Sequence, residues 1–430
     1  MWRTTNGGNA VALICMGTRP EIIKMAPVYR ALKNSRLGVA ILHTGQHEEM
    51  AWPLYEFFGM RPDHSVDLNR SSSALSHLSA RLLEEVAGVL EVVKPKVVLV
   101  HGDTSSTLSA ALAAFYQQIP IGHVEAGLRS GSMYDPFPEE MNRALVGRVA
   151  QWHFAPTAQA AENLRREGVP RERIHIVGNT IVDAALWGCE QLERRAESAA
   201  ELIDSGLGHV PTLLQKRDRK LILVTAHRRE NWGGGIAGIA QAVRRLLEER
   251  EELCVVWPVH ANRIVRDTVY VGFQGMKDSA AKRLVLCEPL NYTALLWVLR
   301  HAWITMTDSG GIQEEAIAVK VPVLVLRETT ERPELLAAGG GVLVGTDPRA
   351  IVERVRWLLE DEAAHRRMRS AKNPFGDGHA AEYIARILEH ALVPQDISLS
   401  LPQRPCLEEW TARAAAWKFA SSSPPRLPAN

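Results

Sequence analysis

Short, continuously apolar runs alternate with longer segments of helical periodicity along most of this chain, and this alternation limits the possible folds more than any other feature. Runs such as VALICM (11–16) and KVVLVHG (96–102) have the length and composition of buried strands, and helix-period segments follow them. Repeated strand–helix alternation is typical of βαβ units, which form parallel sheets. The pattern therefore predicts an α/β protein.

The predicted strands fall into two similar series. The first comprises residues 11–16, 39–44, 96–102, 119–125 and 152–156, with helices such as 20–33 and 104–117 between them. The second comprises residues 220–227, 253–260, 283–289, 302–308, 321–327 and 341–345. A chain of 430 residues also exceeds the usual size of one hydrophobic core. We therefore predict two doubly wound domains, joined near a charged, alanine-rich helix predicted over residues 190–207.

Composition disfavours several classes of protein. A net charge of +1 gives no electrostatic bias, so neither nucleic acid nor an anionic membrane is expected as a partner. No apolar segment has the length of a membrane span or of a flanked signal sequence, so a cytoplasmic protein is expected. The five cysteines form no C-x-x-C pair, which predicts reduced core thiols and no metal site. The sequence also lacks the G-x-x-x-x-G-K-[ST] and strand-linked G-x-G-x-x-G motifs of ATPases and standard NAD enzymes.

Acids and a histidine stand where predicted strands give way to loops, the edge at which open parallel sheets bind ligands. They are Asp103 in HGDT, Glu125 in HVEAGLRSG, Glu139 in PFPEEMNR and His227 in TAHRREN. Each of three has a structural alternative: Asp103 as a turn or cap residue, Glu139 as a helix-start acid, and His227 as a satisfied strand-end histidine. Glu125 ends an apolar strand, where a carboxylate is partly desolvated. Their joint occurrence favours a catalytic cleft.

The segment TDSGGIQEE (307–315) has the pattern of an anion-binding helix start. Ser309 is a plausible N-cap, and the amides of Gly310 and Gly311 are expected to face a phosphate without an intervening side chain. Glu315, about one turn later, is placed to accept hydrogen bonds from ribose hydroxyls, as acids do in dinucleotide sites. Arg332 in TTERPE adds a cation nearby in sequence. The pattern favours a nucleotide, with a glycine-containing helix start and solvated acids as the alternative.

Taken together, these motifs closely resemble the non-hydrolysing UDP-N-acetylglucosamine 2-epimerases. The matching blocks run in family order from about residue 15 to about residue 390: GTRPEIIKMAPV, TGQH, HGDT, IGHVEAGLRSG, PFPEEMNR, HFAPT, VGNTIVDA, TAHRREN, PVH, TDSGGIQEEA, VLVLRETTERPE, VGTD and NPFGDG. The resemblance implies interconversion of UDP-GlcNAc and UDP-ManNAc without a metal or NAD. It also implies elimination of UDP to a 2-acetamidoglucal, re-addition of UDP, and a supply of ManNAc-type sugars for cell-envelope polysaccharide.

The resemblance further implies two Rossmann-like domains of the glycosyltransferase-B type, with the active site in the cleft between them. An N-terminal domain would span residues 1–182 and receive a returning C-terminal helix at about 379–395. A UDP-binding domain would span residues 183–378. Residues 396–430 extend past the family core, and the terminal ASSSPPRLPAN predicts partial disorder. A homodimer is expected.

Residue roles carry over by motif. Asp103, Glu125, Glu139 and His227 match the catalytic residues, with acid and base left open among the three carboxylates. The matches to substrate and UDP contacts are Arg19, Lys24, Arg143, Ser309, Gly310, Gly311, Glu315 and Arg332. The matches to a second, activating nucleotide-sugar site are Gln46, Arg229 and His260.

This sequence departs from the family pattern in places. Glu48 stands where many bacterial members carry Arg, and Glu49 where some carry Gln, which predicts weak activation by UDP-GlcNAc. Leu295 stands where the family often places an aromatic residue near the uracil. Three alternative functions remain: a 2-epimerase for another UDP-2-acetamido sugar such as a diacetamido uronic acid, an inverting glycosyltransferase, and a nucleotide-sugar sensor.

Overall fold

The computed structural model describes residues 11–46, 48–68, 74–194, 202–215 and 219–394. The strands are β1 Val11–Met16, β2 Gly38–His43, β3 His64–Ser65, β4 Val97–His101, β5 Ile121–Val124, β6 Trp152–Ala155, β7 Ile174–Ile176, β8 Lys220–Thr225, β9 Leu253–Pro258, β10 Leu284–Cys287, β11 Ala302–Thr307, β12 Val323–Val325 and β13 Gly341–Leu343. The helices are α1 Arg19–Lys33, α2 Glu48–Phe57, α3 Leu75–Val93, α4 Ser105–Tyr116, α5 Glu139–Val149, α6 Ala158–Arg166, α7 Thr180–Arg194, α8 Val210–Leu214, α9 Gly234–Glu249, α10 Arg263–Gly272, α11 Asp278–Ala281, α12 Tyr292–His301, α13 Gly310–Ala318, α14 Pro333–Ala337, α15 Pro348–Glu360, α16 Glu362–Arg369 and α17 Ala380–Leu392.

The strands form two wholly parallel sheets. The first has seven strands in the order β3-β2-β1-β4-β5-β6-β7, and the second has six in the order β10-β9-β8-β11-β12-β13. In each sheet the strand order reverses at a central pair, β1 with β4 and β8 with β11. Such a reversal opens a crevice at the carboxyl ends of the strands. The predicted fold class, two doubly wound parallel-sheet domains, is confirmed.

The core explains why the strands could be read from the sequence. Helices cover both faces of a parallel sheet, so its strands are continuously apolar. In the first sheet, Val98 and Val100 lie in one cluster with Ala110 and Ala114 of α4, all fully or almost fully buried. Each predicted strand is present with its ends shifted by a few residues. The edge strands β3 and β7 were missed because they are short and only partly buried.

The helix that connects the two sheets differs from the helix predicted for this region. The helix predicted over residues 190–207 begins earlier, at Thr180, and α7 ends at Arg194, beyond which residues 195–201 are not described. Nine of its fifteen residues are buried, because α7 packs against α1 of the first half and against α12 and α13 of the second. Within the segment VGNTIVDAALWG, the residues from Thr180 onward therefore belong to the connecting helix and do not precede it.

The chain up to Leu392 forms one compact unit that contains both sheets. Helix α17 packs on α1. An ion pair of 2.8 Å between Arg36 Nε and Glu389 Oε1 joins α17 to the loop that follows α1. The bounds 1–182 and 183–378 stay a prediction. The predicted disorder after residue 395 falls outside the described residues.

None of the helices in the described part of the chain is both long and apolar enough to cross a membrane. Cys15, Cys189, Cys254 and Cys287 form no disulfide, and burial raises the pKa of the Cys189 and Cys254 thiols to about 11. Cys406 lies outside the described part of the chain.

Candidate active site

Glu125 follows β5 directly and is held by groups from several elements. Its backbone is left-handed, with φ +62°, a conformation that costs a non-glycine residue about 1–2 kcal/mol and that clusters at functional sites. The Glu125 carboxylate forms an ion pair with Lys24, accepts a hydrogen bond of 2.8 Å from Asn179 Nδ2, and lies 3.8 Å from His101 Nε2. Burial alone would raise its pKa, but Lys24 and His101 outweigh burial and hold the pKa of Glu125 below its ordinary value. This carboxylate is therefore ionised at neutral pH.

Asp103 follows the neighbouring strand β4 and behaves differently. Burial raises the pKa of its carboxyl to about 6, because the ion pair with Arg143 offsets only part of the desolvation and Glu125 adds a like charge. Asn142 Nδ2 donates to the Asp103 carbonyl at 2.8 Å, which ties α5 to this turn. Asp103 is not the cap of the next helix; Thr104 is, accepting from Thr107 N. Two neighbouring acids with pKa values pushed apart are the usual basis for distinct acid and base roles.

Glu139 and Glu140 open α5 and differ in their contacts. The Glu140 carboxylate is buried, lies 3.3 Å from Arg143 Nη1, and accepts hydrogen bonds from Ser130 N and Gly131 N, which closes the loop between β5 and α5. Glu139 is half-buried, and its carboxylate has no protein hydrogen bond within the described residues. Glu140 is therefore structural, whereas Glu139 is available to a ligand.

His227 lies at the carboxyl end of β8 and is supported by Asp308, which follows β11. Asp308 is completely buried, and its Oδ2 accepts hydrogen bonds from His227 N, Arg228 N and Asn231 Nδ2 at 2.9–3.0 Å. The His260 ring stacks on His227 with 5.5 Å between ring centroids. Burial lowers the pKa of His227, and Asp308 offsets this only in part. The imidazole is therefore neutral at physiological pH.

The two halves meet in a cluster of buried charges. Arg332 Nε donates to Glu314 Oε1, and Asn179 Nδ2 donates to Glu314 Oε2 at 3.2 Å. Burial raises the pKa of Glu314, while the charges of Arg332 and Lys24 oppose it. Asn179 thereby connects Glu314 in the second half with Glu125 in the first.

The start of α13, which is predicted to bind the phosphate of a nucleotide, lies beside this cluster. Ser309 occupies the N-cap position of α13, as predicted, although its hydroxyl makes no capping hydrogen bond. A Cβ added to Gly311 would meet nothing within 4 Å outside its own stretch of helix, so the space beside Gly311 is open. Burial raises the pKa of Glu315 to about 7, with Arg19 opposing. Arg19 comes from the first half, and its Nη2 donates to the carbonyl of Leu290 in the second at 3.2 Å.

The three residues matched to an activating site make different contacts, and their assignment to that site stays a prediction. Gln46 Oε1 accepts a hydrogen bond of 2.7 Å from Ser106 Oγ. Arg229 is exposed beside Trp232, and His260 stacks directly on the catalytic candidate His227. The side chains of Glu48 and Glu49 fall outside the described part of the structure, so the expectation of weak activation stays a prediction.

Sequence reasoning missed several residues that organise this site. Glu21 is almost completely buried and accepts hydrogen bonds from Gly17 N, Thr18 N, Thr104 Oγ1 and Thr107 Oγ1. The pattern T-x-x-E at the start of α1, half of a capping box, was a usable signal. Asp308, Asn179 and Glu314 carried no comparable local signal, because their partners are distant in sequence.

Comparisons with known proteins agree on one group. The family model described as UDP-N-acetylglucosamine 2-epimerase matches residues 30–389. The UDP-N-acetylglucosamine 2-epimerases of Salmonella typhimurium and Escherichia coli K12 are each 44% identical over 388 residues, which is 90% of this chain and 99% of each relative. The crystal structure of the UDP-GlcNAc 2-epimerase from Neisseria meningitidis, bound to UDP-GlcNAc, has a TM-score of 0.79 and 37% identity, covering 88% of this chain and all of that one.

Proposed function

The chain belongs to the UDP-N-acetylglucosamine 2-epimerase family, and from that premise we propose that it interconverts UDP-GlcNAc and UDP-ManNAc. The observation that carries this proposal is the pair Asp103 and Glu125, neighbouring carboxyl groups with opposite pKa displacements beside an open helix start. An inversion at C2 needs one group to remove a proton and another to return one on the opposite face. A glycosyltransferase needs only one base, and a sensor needs none.

The first half of the reaction is an elimination. A base takes the proton from C2, the C2–H electron pair forms the C1=C2 double bond, and the C1–O bond breaks so that UDP leaves with the C1–O electron pair. Negative charge therefore develops on the diphosphate. Arg19, Lys24, Arg332 and the amides at Gly310 and Gly311 are the groups assigned to stabilise it.

The second half reverses these bonds on the other face. An acid returns a proton to C2 of the 2-acetamidoglucal, and a diphosphate oxygen attacks C1. Asp103, with a pKa of about 6, is suited to exchange a proton near neutral pH, and the available carboxyl of Glu139 is the second candidate. Glu125 is a weak base because of its low pKa, and its lasting negative charge suits it to stabilise positive charge at C1. Supply of ManNAc-type sugars for cell-envelope polysaccharide, and assembly as a homodimer, are part of the same proposal.

Proton NMR of the purified protein with UDP-GlcNAc alone tests the function. We expect a new UDP-ManNAc anomeric signal without added metal, NAD or acceptor, and the same equilibrium ratio when the reaction starts from UDP-ManNAc. Turnover only with a UDP-diacetamido uronic acid would favour the alternative substrate. Unchanged spectra with each of these nucleotide sugars would overturn the assignment.

A further inference from the structure

The chain crosses between the two halves twice, and the two crossovers touch at Asn179. The backbone N–H of Asn179 donates to the carbonyl of Phe375 at 2.6 Å. Gly178 and Gly376 face each other with positive φ angles, and a Cβ on either one would lie 3.1 Å from the Cα of the other. Only glycine tolerates this approach together with that backbone conformation. The position of Asn179 is therefore determined by both crossovers.

Both the nitrogen and the oxygen of the Asn179 amide have hydrogen-bond partners. Its Oδ1 accepts from Ile181 N at 3.1 Å, which caps the start of α7. Its Nδ2 donates to Glu125 Oε2 at 2.8 Å and to Glu314 Oε2 at 3.2 Å. Ionised carboxylates only accept hydrogen bonds and a backbone N–H only donates, so these partners determine the orientation of the amide. The side chain is buried, so water does not replace these contacts.

We propose that Asn179 is a positioning residue, which uses one amide group to hold Glu125 of the first half and Glu314 of the second in register when the cleft is assembled for catalysis. This inference rests on the proposed function. Glu125 is also paired with Lys24, and Glu314 with Arg332. The contacts therefore run in the order Lys24, Glu125, Asn179, Glu314 and Arg332. This series joins Glu125, a catalytic candidate, to Arg332, a predicted UDP contact. Binding of UDP at Arg332 is thereby linked to the orientation of the Glu125 carboxylate.

The Asn179 amide differs in charge from the other groups around Glu125. Lys24 from α1, His101 from β4, Arg332 from the start of α14 and Glu314 from α13 act on this region, and Asp103 after β4 is a neighbouring acid. Nδ2 is the one neutral donor among these groups that contacts both carboxylates. Without it, Glu125 and Glu314 would repel each other with no donor between them.

Asn179→Asp is the sharpest test, because it retains the oxygen that caps α7 while it replaces the two N–H donors by an oxygen and adds a negative charge. Asn373→Asp is the matched control: Asn373 lies in the second crossover, and its Oδ1 likewise accepts from a backbone N–H, that of Phe375, at 2.9 Å. Both variants and the wild type would be compared by UDP-GlcNAc turnover from about pH 5 to about pH 9, UDP calorimetry and thermal unfolding. Asn179→Ala, which lacks the added charge, replaces the Asp variant if that protein does not fold.

We expect kcat of Asn179→Asp to fall by about 10- to 100-fold, the scale of a lost hydrogen bond to a charged group, with a smaller change in KM. The acid limb of its pH profile should move to higher pH, because Glu125 loses a donor and gains an anionic neighbour. A kcat and an acid limb equal to those of Asn373→Asp would overturn the inference. Absence of turnover in the wild type would instead overturn the proposed function.

Discussion

Oδ1 of the buried Asp308 lies 3.4 Å from Nδ1 of His227, and the other carboxylate oxygen is occupied by three N–H donors. Oδ1 has no hydrogen-bond partner among the described residues. An acceptor oxygen facing Nδ1 favours the tautomer with its proton on Nδ1, which leaves Nε2 as an acceptor for substrate. Asp308 therefore supports His227 in the way that a buried carboxylate orients a catalytic histidine in other enzymes.

Asp308→Asn tests this pairing. The remaining oxygen is required by the three donors, so the new NH2 group faces Nδ1 and favours the opposite tautomer. We expect kcat to fall by about 100-fold or more, with UDP affinity close to that of the wild type. Steady-state kinetics and calorimetry measure the two effects, with Asp347→Asn as a control, because Asp347 is an exposed Asp that caps α15. Wild-type kcat in Asp308→Asn would contradict the role of Asp308.

Glu21→Gln is expected to destabilise the first half. The Glu21 carboxylate accepts four hydrogen bonds, and an amide substitutes a donor for one of its two acceptor oxygens. The free energy of unfolding should fall by about 1–3 kcal/mol, measured by urea denaturation. Glu84→Gln is a suitable control, because Glu84 is exposed and takes part only in a surface ion pair. Equal midpoints for the two variants would show that the buried carboxylate adds no stability.

Gly311→Val should nearly abolish UDP binding and leave the fold intact. A Cβ at residue 311 has no part of the protein outside its own stretch of helix within 4 Å, so the substitution is expected to fill the space assigned to the phosphate. Ser309→Ala should weaken UDP only modestly, because the Ser309 hydroxyl makes no capping bond. Gly88→Val is the matched control, since Gly88 also has open space around its Cα but lies within α3. Wild-type UDP affinity of Gly311→Val in calorimetry would remove the phosphate-site assignment.

The raised pKa of Glu315 gives a pH dependence of stability with a definite sign. Its pKa is about 7 in the folded protein against an ordinary 4.5, so the folded state binds this proton more tightly than the unfolded chain. The stabilisation is fully present below about pH 4.5 and is lost as the pH rises through about 7. As the pH rises from about 4.5 to about 7, the free energy of unfolding of Glu315→Gln should therefore increase relative to that of the wild type by up to about 3 kcal/mol. Urea denaturation without nucleotide measures it, and a pH-independent difference would contradict the raised pKa.

Elimination and re-addition require exchange of the C2 hydrogen with solvent. A carboxyl group in a cleft open to water loses the abstracted proton before the sugar returns, so product formed in D2O should carry deuterium at C2. Long incubations should also release small amounts of UDP and 2-acetamidoglucal. Mass spectrometry and NMR detect both, with Asp103→Asn as a variant expected to lose on the order of 100-fold in kcat while retaining UDP. Full protium at C2 of UDP-ManNAc would exclude the elimination.

Much of this site could be predicted because parallel sheets place their ligand-binding residues next to strands that are easy to recognise. Asp103, Glu125 and His227 each follow a continuously apolar run, and TDSGG carries its own helix-start signal. The short edge strands and the true start of α7 could not be predicted equally well. Partial burial weakens the apolar pattern of an edge strand, and the burial of α7 depends on helices from both halves.

The amino-acid sequence by itself determined the two parallel sheets, the strand-end acids and the resemblance to one family, because periodicity and motifs are properties of neighbouring residues. Only the tertiary structure decided how readily each of these acids ionises. Glu125 and Asp103 look alike in sequence, yet Lys24 and His101 lower the pKa of one while burial raises that of the other. It also decided that Asn179 bridges two carboxylates, one of them 135 residues away. Such contacts exist only once the two halves close, since they depend on distance in space and not on separation along the chain.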